Sequence, residues 1–175
     1  MSGPDAVHRL EDPFAFAHSG SSFRGQLAIA DMPRLWDRIA SKAGVVTFEV
    51  RGRVDQRQRP LLELEIEGTA CMRCDRCLGQ LEFPLKLAST VLLVQPGALH
   101  PEDADDPEAP EWMEVAQLLD LREFVEDEIL LGLPYSVRHG DGKCGDWAGG
   151  KEIGRKASPF SALAALIEPK QANKD

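Results

Sequence analysis

Between residues 45 and 94, apolar and polar side chains alternate with a period of two. "VVTFEVR" (45–51) places Val46, Phe48 and Val50 on one face and Thr47, Glu49 and Arg51 on the other. "LLELEIEG" (61–68) repeats the pattern, with Leu62, Leu64 and Ile66 against Glu63, Glu65 and Glu67. "LEFPLKL" (81–87) does so with Leu81, Phe83, Leu85 and Leu87, and it can continue through "STVLLV" (89–94). One-sided alternation predicts antiparallel strands with one face in the core and one in water. "SFRGQLAI" (22–29) predicts a further short strand. "GRVDQRQRP" (52–60) reads as a long hairpin loop between the first two of the three strands. "CMRCDRCL" (71–78) reads as the turn between the second and third, which puts cysteines at a sheet edge.

Elsewhere the period changes to that of a helix. Asp31 stands at an N-cap position, with Pro33 in the first turn. Leu35, Trp36, Ile39 and Ala43 follow at helical spacing before Gly44, which predicts a helix over 32–42. Asp120 and Glu123 form a capping box, and Leu119 with Phe124 a hydrophobic staple. That predicts a second helix, "LREFVEDEILL", ending at Gly132 with Pro134 beyond. A third, short helix is expected from Ser158 and Pro159 through "FSALAALI" to Pro169. Residues 96–114 are acidic and Pro-rich and read as a flexible loop. Residues 138–154 read as a Gly-rich loop and 168–175 as a disordered tail. The sum is one α+β domain over 1–175. An antiparallel sheet of at least three strands packs on helices at 32–42 and 120–131.

Composition narrows the class. A chain of 175 residues, 43% hydrophobic and 28% charged, supplies one globular core. No apolar run approaches a membrane span. The start "MSGPDAVHRLEDPFAF" lacks the basic and apolar blocks of a secretory signal, so a cytoplasmic location is expected. The net charge of −9 argues against non-specific coating of nucleic acid and fits a basic protein partner better. Charge is uneven: residues 100–128 hold twelve Asp or Glu against Arg122 alone. Arg51, Arg53, Arg57 and Arg59 cluster on one loop, with Arg73 and Arg76 on the next. A simple hairpin puts the two groups at opposite ends of a strand, which spreads the charge. They form either a solvated rim or an anion or RNA contact by Arg57, Arg59, Arg73 and Arg76. No aromatic platform accompanies them in sequence, which weighs against single-strand RNA recognition.

The candidate chemistry lies in the cysteines. Cys74 and Cys77 make a C-x-x-C turn, suited to two corners of a tetrahedral zinc site. Cys71, His139 and Cys144 are candidates for the rest, the last two within "RHGDGKCG". Such a site would tie the C-terminal segment to the sheet and stabilise the fold. Thiols that bind nothing are the plain alternative. A redox pair would want a helix N-terminus, and an iron–sulfur cluster a nearby fourth cysteine followed by Pro. Neither context is present. His8, His18 and His100 fall in no nucleophile motif. There is no G-x-G-x-x-G, P-loop or H-E-x-x-H. The acidic run at 102–108 has no EF-hand spacing and reads as a solvated loop.

In combination, "CDRCL" with the following "FPL", "DLREFVEDEILLGLP", "RHGDGKC" and "SPFSALAAL" resemble the YceD family. These are the large ribosomal RNA subunit accumulation proteins of bacteria. The N-terminal "DPFAFA" and "FRGQL" resemble members too. The resemblance implies a small cytosolic α+β protein linked to accumulation of 23S ribosomal RNA. Its gene commonly neighbours that of a small basic ribosomal protein, and no catalytic residues are established to carry over. Cys74, Cys77 and Cys144 match the family's cysteines, and Cys71 is extra. Some members carry a further C-x-x-C near the late cysteine, where this chain has "KCGDWAGG". A four-ligand site here therefore depends on His139 or Cys71. The expected function is a non-enzymatic large-subunit biogenesis factor that binds a basic ribosomal protein or pre-ribosomal particle. No membrane and no small-molecule substrate are expected. The alternative is a direct ribosomal-RNA binder with a zinc-stabilised knuckle.

Overall fold

The computed structural model describes residues 8–98, 101, 106–107, 109–140 and 144. The elements run β1 (Arg9–Leu10), α1 (Pro13–Ser19), β2 (Ser22–Ala28), β3 (Ile39–Ser41), β4 (Val45–Val54), β5 (Pro60–Arg73), β6 (Gln80–Val94), β7 (Glu111–Glu114), β8 (Leu119–Asp120) and α2 (Leu121–Gly132). The result is an α+β fold built on a six-stranded sheet ordered β2-β4-β5-β6-β7, with β3 added along the end of β5. All pairs in it are antiparallel except β6–β7. A two-stranded β1–β8 pair joins the N-terminus to the start of α2.

The alternating pattern becomes the core as expected. Val46, Phe48, Val50, Leu62, Leu64 and Ile66 are all buried, while their odd-numbered neighbours face water or its margin. α2 covers this face with Leu121, Phe124, Val125 and Ile129, at helical spacing. Its capping Asp120 accepts the N–H groups of Arg122 and Glu123. Gly132 ends α2 so close to the sheet that a Cβ there would stand 2.4 Å from Leu87 Cδ2. α1 crosses β4 at Gly52, where a Cβ would meet the Phe16 carbonyl at 2.3 Å. Asp12, Pro13 and Gly20 are start and stop signals that define α1, a helix the periodicity alone does not reveal.

Three expectations change. The predicted helix over 32–42 does not form. Two single 3₁₀ turns, Ile29–Asp31 and Pro33–Leu35, are followed by β3. Met32 precedes a proline, which disfavours α geometry, and it adopts φ −114°, ψ 80°. The buried Glu126 carboxylate then takes the Arg34 N–H at 2.6 Å, and Ile39 pairs with Met72. Within the predicted loop 96–114, Glu111–Glu114 form strand β7, parallel to Val91–Val94, with Trp112 and Met113 half-buried. The hairpin loop between β4 and β5 shortens to 55–59. Asp55 and Arg59 close it through Asp55 N–H donating to the Arg59 carbonyl. The expected helix after Ser158, the tail over 168–175 and most of the 138–154 loop lie outside the described residues.

Candidate metal centre

The β5–β6 hairpin turns through residues 74–79. Cys74 N–H donates to the Gly79 carbonyl at 2.9 Å and Leu78 N–H to the Cys74 carbonyl at 2.8 Å. Leu78 sits at φ 59°, a conformation uncommon outside glycine. This tight knuckle brings Cys74 and Cys77 to one side of the backbone. The segment after α2 is fastened to it by a two-way bracket. Asp75 N–H donates to the Val137 carbonyl at 2.9 Å, and Val137 N–H donates to Asp75 Oδ2 at 3.1 Å. The bracket carries His139 to the knuckle.

Four side chains converge there. Cys74, Cys77, His139 and Cys144 present ligand atoms all within 4.8 Å of one another. Cys74 Sγ lies 3.8 Å from Cys144 Sγ. His139 Nδ1 lies 3.4 Å from Cys77 Sγ and 3.8 Å from Cys144 Sγ. Bonds of ~2.3 Å to sulfur and ~2.0–2.1 Å to nitrogen around a tetrahedral ion give S···S near ~3.8 Å and S···N near ~3.6 Å. The cluster therefore has the size of a four-coordinate metal site. His139 Nε2 lies 2.9 Å from the Gln80 carbonyl. A carbonyl only accepts, so Nε2 carries the hydrogen and Nδ1 faces the sulfurs as a free lone pair, as metal-binding histidines require.

The electrostatics also favour a cation. Burial pushes the Cys74 thiol up, but the backbone N–H groups of Cys77, His139 and Arg76 and the Cys77 thiol more than offset it. They hold the group at about 5. Cys144 moves the other way, raised by burial and by the neighbouring Cys74 and Cys77. The opposite shifts of Cys74 and Cys144 are those of neighbouring thiols whose second ionisation needs a positive charge between them. Cys71 lies outside the cluster, on β5 opposite Glu82 and Ser41.

The arginines divide. Arg57 and Arg59 flank the far end of β5, where Asp55 accepts the N–H groups of both and Arg59 Nε at 2.6 Å. Arg73 and Arg76 stand at the knuckle end, both exposed. Sequence reasoning leaves them without aromatics. The fold brings Trp36 and Tyr135 into one cleft with Arg73. His8, by contrast, packs its ring against Phe23 and Phe48.

Among the described residues, no helix is long and apolar enough to cross a membrane. Nothing among curated proteins or solved structures matches the chain. A family model described as "Large ribosomal RNA subunit accumulation protein YceD" matches residues 62–167, from β5 through both halves of the cysteine–histidine cluster, and the chain belongs to the YceD family.

Proposed function

We propose that this protein is a non-enzymatic factor of large ribosomal subunit assembly, acting in the cytoplasm. Its C-terminal segment is held to the sheet by a structural zinc ion on Cys74, Cys77, His139 and Cys144. The observation that carries this reading is the family match, whose description names large-subunit ribosomal RNA accumulation. Zinc suits the donor set, since three thiolates and one imidazole make a closed four-ligand site with no open position for substrate. When bound, the ion supplies cross-linking and charge neutralisation, so metal affinity becomes folding stability. The Cys77–His139 contact is two ligands rather than nucleophile and base, because the imidazole nitrogen faces Cys77 and Cys144 together.

The partner that suits the acidic face is a basic ribosomal protein or an assembly intermediate containing one. Glu111 and Glu114 on β7 and Glu123 on α2 are exposed. Burial, joined by the charges of Glu111 and Asp127, pushes Glu128 up. Crowded carboxylates of this kind gain from a cationic partner, chiefly in rate of encounter and specificity. The test is affinity capture from a lysate at low salt. Large-subunit precursors or a basic ribosomal protein are expected, with recovery falling as salt rises. Capture of neither would remove this reading.

A further inference from the structure

The knuckle end gathers cations and aromatics from four separate parts of the chain. β3 fastens the preceding turn to the end of β5, bringing Trp36 and Arg38 beside Met72 and Arg73. The Asp75–Val137 bracket brings Tyr135 and Arg138 to the same place. Trp36, Arg38, Arg73, Asp75 and Tyr135 line one cleft of about 410 Å³. Tyr135 is 93% exposed and Trp36 39%.

Among the described residues, Arg38, Lys42, Arg73, Arg76 and Arg138 form no ion pair, unlike Arg9, Arg24, Arg34, Arg51, Arg53, Arg59 and Arg122. Lys42 Nζ sits 3.1 Å above the Trp36 ring centre. Arg38 lies 6.0 Å from the centre of Tyr135 and donates to the Pro134 carbonyl at 3.1 Å. Among the described residues lining the cleft, the carboxylates are Asp37 and Asp75. Asp75 is occupied with the Ser136 side chain and the Val137 N–H, and it also feels the charges of Arg138 and Arg38.

We propose that this cleft binds single-stranded RNA, with bases stacked on Tyr135 and Trp36 and phosphates held by Arg38, Lys42, Arg73 and Arg138. Rings and cations interleaved in this way serve unpaired bases and their backbone together. An acidic peptide would use the cations but leave the aromatic faces without a role. The overall charge of −9 is no obstacle. The acidic β7 lies toward the opposite end of β5, whose 14 residues span roughly 43 Å, several screening lengths at physiological salt, and the nearer Glu126 and Asp127 of α2 are engaged by Arg34. The inference rests on the assembly reading only for where the RNA comes from.

The test is fluorescence anisotropy of a labelled single-stranded RNA of about 12 nucleotides with the full zinc-replete chain, over about 50 to 200 mM salt. Binding is expected with a log–log salt slope of about −3, from four phosphates at ~0.7 each. Tyr135→Ala and Trp36→Ala are each expected to weaken binding by about 5- to 150-fold, while Tyr135→Phe keeps the stacking face and the affinity. Arg73→Ala is expected to flatten the slope by about 0.7, and Arg59→Ala to change nothing. Melting curves matching the wild type keep these results from reflecting misfolding. No binding at the lowest salt, or Tyr135→Ala and Arg73→Ala behaving as the wild type, overturns the inference. Lost RNA binding with intact capture of a basic protein would sink this inference alone. RNA binding without such capture would sink the protein-partner reading alone.

Discussion

The two ends of the β5–β6 ribbon both carry arginines, and the strand register gives them different fates. On β4, register places Arg51 opposite Glu63. Arg51 bonds Glu49 at 2.9 Å and reaches Glu65 at 3.5 Å, Arg53 bonds Glu63 at 2.9 Å, and Arg59 bonds Asp55 at 2.6 Å. The wet face that alternates with the core supplies Glu49, Glu63 and Glu65, and the 55–59 loop supplies Asp55, so every arginine of "RGRVDQRQR" lies beside an acid. At the other end the strand runs out. Arg73 stands opposite Gln80, with Glu82 its diagonal neighbour, the next residues turn into the knuckle, and among the described residues these cations form no ion pair. Similar sequence clusters are thus a self-neutralised rim in one place and an open basic surface in the other. Cross-strand pairing decides which, and composition does not record it.

The largest effect that separates the ends is loss of the cluster. Cys74→Ser, or chelation of the wild type, is expected to lower Tm by about 10 °C or more, since metal affinity is folding stability. Amides over 133–140 should then exchange faster while those of β4 and the 55–59 loop keep their protection. Equal loosening of both ends in hydrogen exchange would mean that the cluster does not fasten the knuckle in particular. At the paired end, Asp55→Ala removes three hydrogen bonds and is expected to cost ~1–2 kcal/mol, read as a shifted urea midpoint. Smaller still, Arg59→Ala should cost ~0.5–1 kcal/mol and Arg73→Ala less than ~0.5 kcal/mol. Equal costs would erase the distinction between paired and open arginines.

The slightest effect is in acid. Side-chain bonds from Arg51 and then Arg24 hold Glu49 at about 2, below its value in the unfolded chain. Its contribution is therefore whole above the ordinary carboxylate range and lost as pH falls through about 2. Glu49→Gln should flatten that part of an acid titration followed by circular dichroism. An unchanged titration would mean that these arginines do not hold the carboxylate.

The strands were legible because each has one wet face, so a period of two states both the element and its orientation. α2 was legible because Asp120 caps it and Leu121, Phe124, Val125 and Ile129 repeat at helical spacing. The misread segment at 32–42 has helical spacing too, but tertiary contacts override it. Pro33 constrains Met32, Glu126 takes the Arg34 N–H from 92 residues away in sequence, and Met72 pairs with Ile39. Strand β7 was hidden because its four residues sit at the end of an acidic stretch and gain order from β6. The four members of the cluster could be named from the C-x-x-C turn and the "RHGDGKC" stretch. The aromatic cleft could not, because Trp36 and Tyr135 meet only through β3 and the Asp75–Val137 bracket. Spacing along the chain carries no trace of that meeting.

The most direct test of the account is metal content and thiol count on protein purified without chelator. The account predicts about one zinc per chain. The thiols of Cys74, Cys77 and Cys144 should resist a thiol reagent until chelation or unfolding, and His139→Ala should carry less metal. Metal-free protein whose four cysteines all react at ordinary rates while folded would contradict it.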